Sequence, residues 1–252
     1  MKLNHLIIIG ALCGALLLPS SASSWGVVGL SAGQGGGGAA FCSAAGNIVE
    51  ETWDTESGED NTWADTTSGT NTLDPDHTPQ AVTGFDTQCL NTAARAAWGY
   101  AYQGFNAGSE SAITYIRFYL YVNSEGLDDG EYFDGPLIAQ NSQSTVICKM
   151  RVMQESGQLK LYVGWVMAAG QPSGTMDIST GTSYLVEIKT DDTNDALEWK
   201  VNSVSQGSFS VDPTDGIQIY RVGVCNSVNA TIDIEIDNFG VSSSGWLGSC
   251  GS

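Results

Sequence analysis

Short runs in which apolar and polar residues alternate recur from about residue 44 to residue 241, and clusters of Gly, Asp, Asn and Ser separate them. Alternation with a period of two is typical of half-buried β-strands, and no segment carries a convincing helical period. Many evenly spaced strands without helices predict a sandwich or a barrel. The predicted strands are residues 99–105, 113–122, 145–152, 159–167, 183–189, 196–201, 217–224 and 231–241.

The same alternation assigns side chains to the two faces of a strand. In ITYIRFYLYV one phase is apolar and predicts the core face, and the other phase consists of Tyr115, Arg117, Tyr119 and Tyr121. The stretch WGYAY supplies a second aromatic set, Trp98, Tyr100 and Tyr102. Aromatic rings with a few polar groups are typical of ligand sites, so these seven residues are the candidate ligand-binding residues. In the alternative interpretation, a second layer or a long loop covers them.

Charged residues also fall on the outward phase of other strands. ICKMRVM directs Lys149 and Arg151 away from the core, and QLKLYVGWVM does the same for Lys160 and Tyr162.

Three carboxylates alternate in TIDIEID, near the end of the chain: Asp233, Glu235 and Asp237. Because the isoleucines between them predict the buried phase, the carboxylates project from the opposite face. An edge strand that charge keeps soluble would explain the row. The row could also pair with Arg117 on a neighbouring strand. If the protein is an enzyme, these three residues are the catalytic candidates, because paired carboxylates cleave glycosidic bonds.

The first 24 residues, MKLNHLIIIGALCGALLLPSSASS, predict a secretory signal peptide, because a lysine precedes a short apolar run and small residues follow it. The run is shorter than the roughly 20 residues of a membrane span. Residues 25–43 contain four consecutive glycines and predict a flexible tether. The folded domain is then predicted over residues 44–248 with a tail at 249–252, and the mature protein is expected to be secreted or displayed at the cell surface.

The chain carries 28 acidic and 9 basic residues, a net charge of −19. Such a charge should repel nucleic acid and anionic lipid surfaces, so neither nucleic acid nor an inserted membrane is an expected partner. A neutral ligand is expected to be tolerated better than a polyanion.

Acidic side chains concentrate in loop-like segments, which predicts a structural Ca²⁺, because hard cations require several oxygen ligands. The candidate ligands are Asp54, Glu56, Asp128, Asp129 and Asp237. His77, in LDPDHTPQ, is interpreted as a solvent-exposed loop residue.

The chain has six cysteines, of which Cys13 lies in the N-terminal apolar run. Export allows disulfides, and a pair between Cys42 and Cys250 would join the two ends of the folded region. Cys148 and Cys225 lie on the apolar phase of their strands and predict buried free thiols. The odd number that remains leaves at least one thiol unpaired.

The opening NIVEETWDTESGEDNTW, the strands ITYIRFYLYV, LKLYVGW and TSYLVEIKT, and the closing IDIEIDNFGVSSSGWLG together resemble the concanavalin A-like lectin and glucanase superfamily. The resemblance is greatest to the laminin-G-like jelly rolls of bacterial secreted and phage-associated proteins. It implies an all-β, two-sheet antiparallel jelly-roll sandwich. The row in TIDIEID departs from the E-x-D-x-E pattern of glycoside hydrolases on this fold, and the histidine signature of the lyases is missing.

Three functions follow from these observations. The first is a secreted, non-catalytic module that binds a polysaccharide or glycoconjugate, or mediates adhesion. The second is an assembly protein of the envelope, matrix or virion that contacts other protein subunits. The third is a polysaccharide hydrolase or lyase. Fold resemblance alone does not decide among them.

Overall fold

In the computed structural model, the described residues are 47–51, 53, 63–68, 70–85, 88–94, 99–164, 173–210, 216–227 and 231–248. The chain divides into residues 1–37, outside the described part, and a unit of residues 38–252. The strands are β1 (Asn47–Glu51), β2 (Trp63–Thr67), β3 (Thr72–His77), β4 (Cys89–Ala94), β5 (Ala101–Ser111), β6 (Ile113–Gly126), β7 (Tyr132–Gln140), β8 (Val146–Glu155), β9 (Gln158–Gly164), β10 (Ser173–Asp177), β11 (Ser183–Asp191), β12 (Ala196–Val201), β13 (Val204–Ser210), β14 (Ile217–Val224), β15 (Asn226–Ser227) and β16 (Thr231–Ser242).

The described strands form two antiparallel sheets. Sheet A has the order β13-β12-β11-β6-β16-β4-β3, with β1 also paired to β16. Sheet B has the order β10-β9-β8-β7-β14-β5-β2, with β15 also paired to β7. The described part contains one short 3-10 turn, Asp192–Asn194, between β11 and β12. Within that part, no helix has the length and apolar character that crossing a membrane requires.

The core lies between the two sheets and is formed by the apolar phase of each strand. Phe118 of sheet A, Tyr220 of sheet B and Phe239 of sheet A meet there, with Phe239 in ring contact with both of the others. Phe239 reaches the core because β16 has an irregular register between Asp237 and Gly240, where Asn238 adopts a left-handed conformation with φ 52°. The apolar side chains of residues 116–122 that the sequence assigned to the core also lie there, which confirms this prediction.

The predicted bounds of β12 and β14 match the structure, and those of β5, β6, β8, β9, β11 and β16 differ at one end or both. The other eight strands, β1–β4, β7, β10, β13 and β15, were not predicted, and β2, β3, β7 and β13 among them are polar or interrupted. β7 contains Gly135 and Pro136, which are typical of turns, and β3 contains Pro75. The prediction that His77 lies in a loop is wrong, because this residue ends β3 and pairs with Cys89 of β4.

The prediction of a solvated edge strand at TIDIEID is also wrong. β16 is an interior strand of sheet A, hydrogen-bonded to β6 on one side and to β4 on the other. Glu235 and Asp237 are fully buried and Asp233 is half-buried. The alternation assigned these side chains to the outward face correctly, but that face is covered by other parts of the chain.

Candidate functional site

Two polar regions lie on the outward faces of the sandwich, one on each sheet. Strand β8 shows how sheet B builds its region. Cys148, Met150 and Val152 point into the core, so Lys149 and Arg151 between them point outward, as the sequence predicted. The same alternation brings Tyr102 of β5, Lys160 of β9 and Arg221 of β14 to this face. Four of the nine lysine and arginine residues of the chain therefore lie on one face of a protein with net charge −19.

Asp134 of β7 connects the two cations of β8. Its Oδ2 lies 3.1 Å from Lys149 Nζ, and its Oδ1 lies 2.8 Å from Arg151 Nε. The guanidinium of Arg151 also stacks over the Tyr132 ring, at 3.6 Å from the centroid. The side chains of Lys149 and Arg151 are 12% and 16% exposed, so the pair is sheltered but still in contact with solvent. One carboxylate compensates two cations here, which leaves one excess positive charge.

Among the described residues, Arg221 of β14 has no such compensation. Its guanidinium lies over the Tyr102 ring, 5.3 Å from the centroid. No carboxylate pairs with it, and it donates no hydrogen bond to any residue of the described ranges. Tyr102 in turn contacts Tyr100, with ring centroids 5.8 Å apart. Within the described ranges, Arg221 is therefore a half-buried arginine without an acidic partner, in a chain with three acidic residues for each basic one.

The outer part of this face carries a different arrangement. Lys160 Nζ lies 2.7 Å from Glu155 Oε2, and the Tyr162 hydroxyl donates to the same oxygen at 2.9 Å. These hydrogen bonds lower the pKa of the Glu155 carboxyl, with Lys160 as the largest cause. Lys160 is thus already satisfied by a neighbour, unlike Arg221.

The second polar region, on sheet A, is built around Glu235. Its Oε2 accepts a hydrogen bond from the Gln80 backbone N–H at 3.1 Å, and its Oε1 lies 3.4 Å from His77 Nε2. The neighbouring carboxylate of Asp233 accepts a hydrogen bond from Asn91 Nδ2 at 2.7 Å. Burial raises the pKa of Glu235 and Asp233 adds to the rise, whereas the Gln80 N–H and His77 oppose it.

Residues 78–85, here named the covering loop, lie over this part of sheet A. Ser183 Oγ donates to the Thr83 carbonyl at 2.7 Å, and Asn238 Nδ2 donates to the Gly84 carbonyl at 3.0 Å. Phe85 contacts the rings of Tyr119 and Tyr121, with centroids 6.4 and 6.3 Å apart. Glu235 and Asn238 therefore serve as attachment points for the loop.

Residues 243–248 cover the adjacent part of sheet A. Arg117 Nη1 donates to the Gly248 carbonyl at 3.1 Å, and the Gly248 N–H donates to Glu187 Oε1 at 3.0 Å. Trp246 packs edge-on against Tyr115, and Lys200 Nζ lies 3.7 Å from the centroid of the Trp246 ring. Of the two alternatives for this aromatic face, the structure therefore shows the covered one, with Arg117, Tyr119 and Tyr121 buried.

The seven candidate ligand-binding residues thus separate. Tyr115, Arg117, Tyr119 and Tyr121 lie beneath covering segments on sheet A, whereas Tyr100 and Tyr102 accompany Arg221 on sheet B. Trp98 lies outside the described residues. The sequence predicted that Lys149 and Arg151 point outward, but they were not among the candidate ligand-binding residues. Arg221 and Asp134 were not identified from the sequence at all. The alternation in IQIYRVGV could have revealed Arg221, because a lone cation stands between two core residues there.

The residues expected to bind Ca²⁺ do not form one group in the part of the chain that the structure describes. Asp128 and Asp129 lie between β6 and β7, where Asp129 accepts a hydrogen bond from the Ser156 N–H, and Asp237 lies on β16. Across the described ranges, no three His, Cys, Asp or Glu side chains converge in a way that could hold a metal ion. Asp54 and Glu56 lie outside these ranges.

Cys148 and Cys225 are free and buried, which confirms the prediction of buried thiols for both, and Cys89 is buried as well. Burial raises the pKa of Cys148 to about 12 and also raises the pKa of Cys225. Cys42 and Cys250, the predicted disulfide, lie outside the described residues.

Comparison with solved structures places the sandwich among known folds. A sialidase is 12% identical with a TM-score of 0.57, and the match covers 79% of this chain but 18% of the sialidase. The cellulose-induced protein Cip1 is 13% identical with a TM-score of 0.56, covering 80% of this chain and 99% of Cip1. The globular domain of T. cruzi calreticulin is 7% identical with a TM-score of 0.51, covering 79% of this chain and 89% of that domain.

No protein-family model matches the sequence, and no curated protein matches it. At these identities the similarity shows the fold alone. With the two antiparallel sheets it confirms the predicted fold class, an all-β jelly-roll sandwich.

Proposed function

We propose that this protein is a non-catalytic, extracellular glycan-binding module whose binding surface is the outward face of sheet B, and that its ligand is anionic. The observation that carries this proposal is Arg221, a half-buried guanidinium beside Tyr102 without an acidic partner in the described ranges. Arginine pairs in a bidentate manner with carboxylate or sulfate groups, and the tyrosine rings can pack against the apolar faces of sugar rings.

The local charge explains how an acidic protein can bind an anion. The net charge of −19 led to the expectation of a neutral ligand, but that charge is spread over the chain. On sheet B, Lys149, Arg151 and Arg221 face one inner carboxylate, Asp134. Because exposed charges farther away than about 10 Å are largely screened at physiological salt, the local excess of positive charge governs binding.

The non-catalytic assignment is supported by the surroundings of the carboxylate row. Glu235 and Asp237 are buried, and Glu235 contacts the covering loop, so Glu235 serves to attach that loop in the proposed function. The superfamily of concanavalin A-like lectins and glucanases, to which the sequence bears a resemblance, includes both binding modules and enzymes, so catalysis requires a direct test.

The test is retention of the purified protein on a panel of neutral and acidic polysaccharides, with release of new chain ends measured in the same samples. We expect retention on acidic polymers that weakens with added salt, and no new chain ends. Preferential retention on neutral polymers would contradict the anionic ligand. New chain ends would contradict the non-catalytic assignment. Repeating the panel with chelator tests the predicted structural Ca²⁺.

A further inference from the structure

A row of residues in register crosses sheet B at right angles to the strands. Arg221 of β14 lies opposite Ile138 of β7, and Ile138 lies opposite Lys149 of β8. On the other side, Arg221 lies opposite Gly104 of β5. Extended to both flanks, the outward row is Gly164, Lys149, Ile138, Arg221, Gly104 and Ala64. The row therefore contains two cations, Lys149 and Arg221, and has small residues at both of its ends.

The glycine in this row is not required by packing. A Cβ atom built on Gly104 would meet no neighbour closer than 3.8 Å, and its backbone is not in the left-handed region. By contrast, a Cβ on Gly223, in the same sheet, would meet Thr92 at 2.9 Å and the Ala101 carbonyl at 2.7 Å. Because Gly104 has no side chain, the surface beside Arg221 is lower at this position. Packing would allow a side chain there, so the fold does not require the glycine.

The positive charge of the row is divided into two subsites. Arg221 contributes one positive charge by itself. Lys149 and Arg151 contribute two, and Asp134 removes one, so this subsite also has an excess of one positive charge. Strands β14 and β8 are separated by β7, and neighbouring strands lie about 4.8 Å apart, which places the subsites about 10 Å apart. Ile138 lies between them on the same face and is 8% exposed.

We propose that this row binds a linear polysaccharide that lies across the strands and carries anionic groups along one side. One anionic group pairs with Arg221 and the next on that side pairs with Lys149 and Arg151, while the sugar ring between them crosses β7. The spacing of the subsites is comparable to two sugar rings of an extended chain, in which alternate rings present their substituents to the same side. This inference rests on the proposed function and specifies its ligand class and binding direction.

The test is calorimetric titration with galacturonate oligosaccharides of two to six rings, with neutral cello-oligosaccharides of the same lengths for comparison. Once an oligosaccharide spans both subsites, the second contact becomes intramolecular, so affinity should rise by at least about tenfold over the shorter oligosaccharides. Lys149→Gln should abolish this rise, so that the longer oligosaccharides bind no more tightly than the shortest one. Lys160→Gln, which removes a cation already paired with Glu155, should keep the rise.

Gly104→Val supplies a second variant, because a branched side chain fits a strand but raises the surface beside Arg221. It should weaken binding of the long oligosaccharides while the melting temperature remains within a few degrees of the wild type. If Arg221→Gln weakens binding at every length but affinity does not rise with length, the row is refuted and the proposed function stands. If Arg221→Gln and Lys149→Gln both bind as the wild type does, both proposals are refuted.

Discussion

The Nε2 atom of His77 lies 3.4 Å from Oε1 of Glu235, although the two residues are separated by more than 150 positions in the sequence. His77 ends β3 and Glu235 lies on β16, so β4 stands between their strands. His77 Nδ1 also lies 3.6 Å from Asp74 Oδ2. The imidazole is therefore placed between two carboxylates at the point where the covering loop begins, and Glu235 also accepts the Gln80 N–H of that loop.

Stability should depend on pH through Glu235. Because burial raises its pKa in the folded state above 4.5, the folded state prefers the protonated acid. The corresponding stability is fully present below the unfolded-state pKa and is lost as pH rises through the folded-state pKa. Glu235→Gln imitates the protonated form. The free energy of unfolding of this variant, relative to that of the wild type, should therefore increase as pH rises above 4.5. Urea unfolding between pH 4 and 8 measures this difference.

Glu155→Gln is the control for that series, because the pKa of Glu155 is lowered by Lys160 and Tyr162. Here the expected change has the opposite sign. The free energy of unfolding of the wild type, relative to that of the Glu155→Gln variant, should increase as pH rises, and the increase should be small because the site is exposed. A Glu235 difference that is flat across the range, or that follows the Glu155 direction, would contradict the role of burial.

The contact between the covering loop and β6 should tolerate no side chain at Gly84. A Cβ there would overlap the Tyr119 ring, and Gly84 has φ +88°. Gly84→Ala should therefore lower the free energy of unfolding by at least about 2 kcal/mol, from overpacking and backbone strain together. Gly108→Ala separates the two causes, because Gly108 has φ +77° and open space around it. It should cost about 1 kcal/mol, and equal losses at both positions would contradict the tight contact.

Asp134 should affect stability and binding in opposite directions. Asp134→Asn leaves Lys149 and Arg151 without their shared carboxylate, so the free energy of unfolding should fall by about 1–3 kcal/mol. The same change raises the local positive charge, so retention on an acidic polysaccharide should increase. Chemical unfolding and a retention assay on one preparation measure both quantities. Reduced retention of a folded variant would show that Asp134 contributes to ligand contact instead.

The buried thiols should be inert in the native protein. The thiolate is the reactive form, and burial raises the pKa of Cys148 to about 12. Iodoacetamide at neutral pH should therefore modify Cys89, Cys148 and Cys225 after unfolding and not before, as read by peptide mass spectrometry. Rapid modification of any of the three under native conditions would contradict its described burial.

The sequence predicts the direction of side chains better than their surroundings. Period two placed Lys149, Arg151 and Glu235 on outward faces, and the structure confirms each. It could not show that Glu235 is covered, because the covering loop follows β3, far away in sequence. Nor could it bring Arg221 into one row with Lys149, since β14 pairs with β5 and β7, which are distant from it in the chain. Strand β7 was missed because Gly135 and Pro136 in its middle are typical of turns.

The most direct measurement compares Arg221→Gln with Glu235→Gln in binding to polygalacturonate under one set of conditions. Loss of a charged hydrogen-bonding group is worth about 1.5–3 kcal/mol, so Arg221→Gln should weaken binding by roughly 10- to 100-fold. Glu235→Gln should bind as tightly as the wild type, and none of the three proteins should release new chain ends. Tight binding by Arg221→Gln together with loss in Glu235→Gln would contradict the assignment of the binding surface to sheet B.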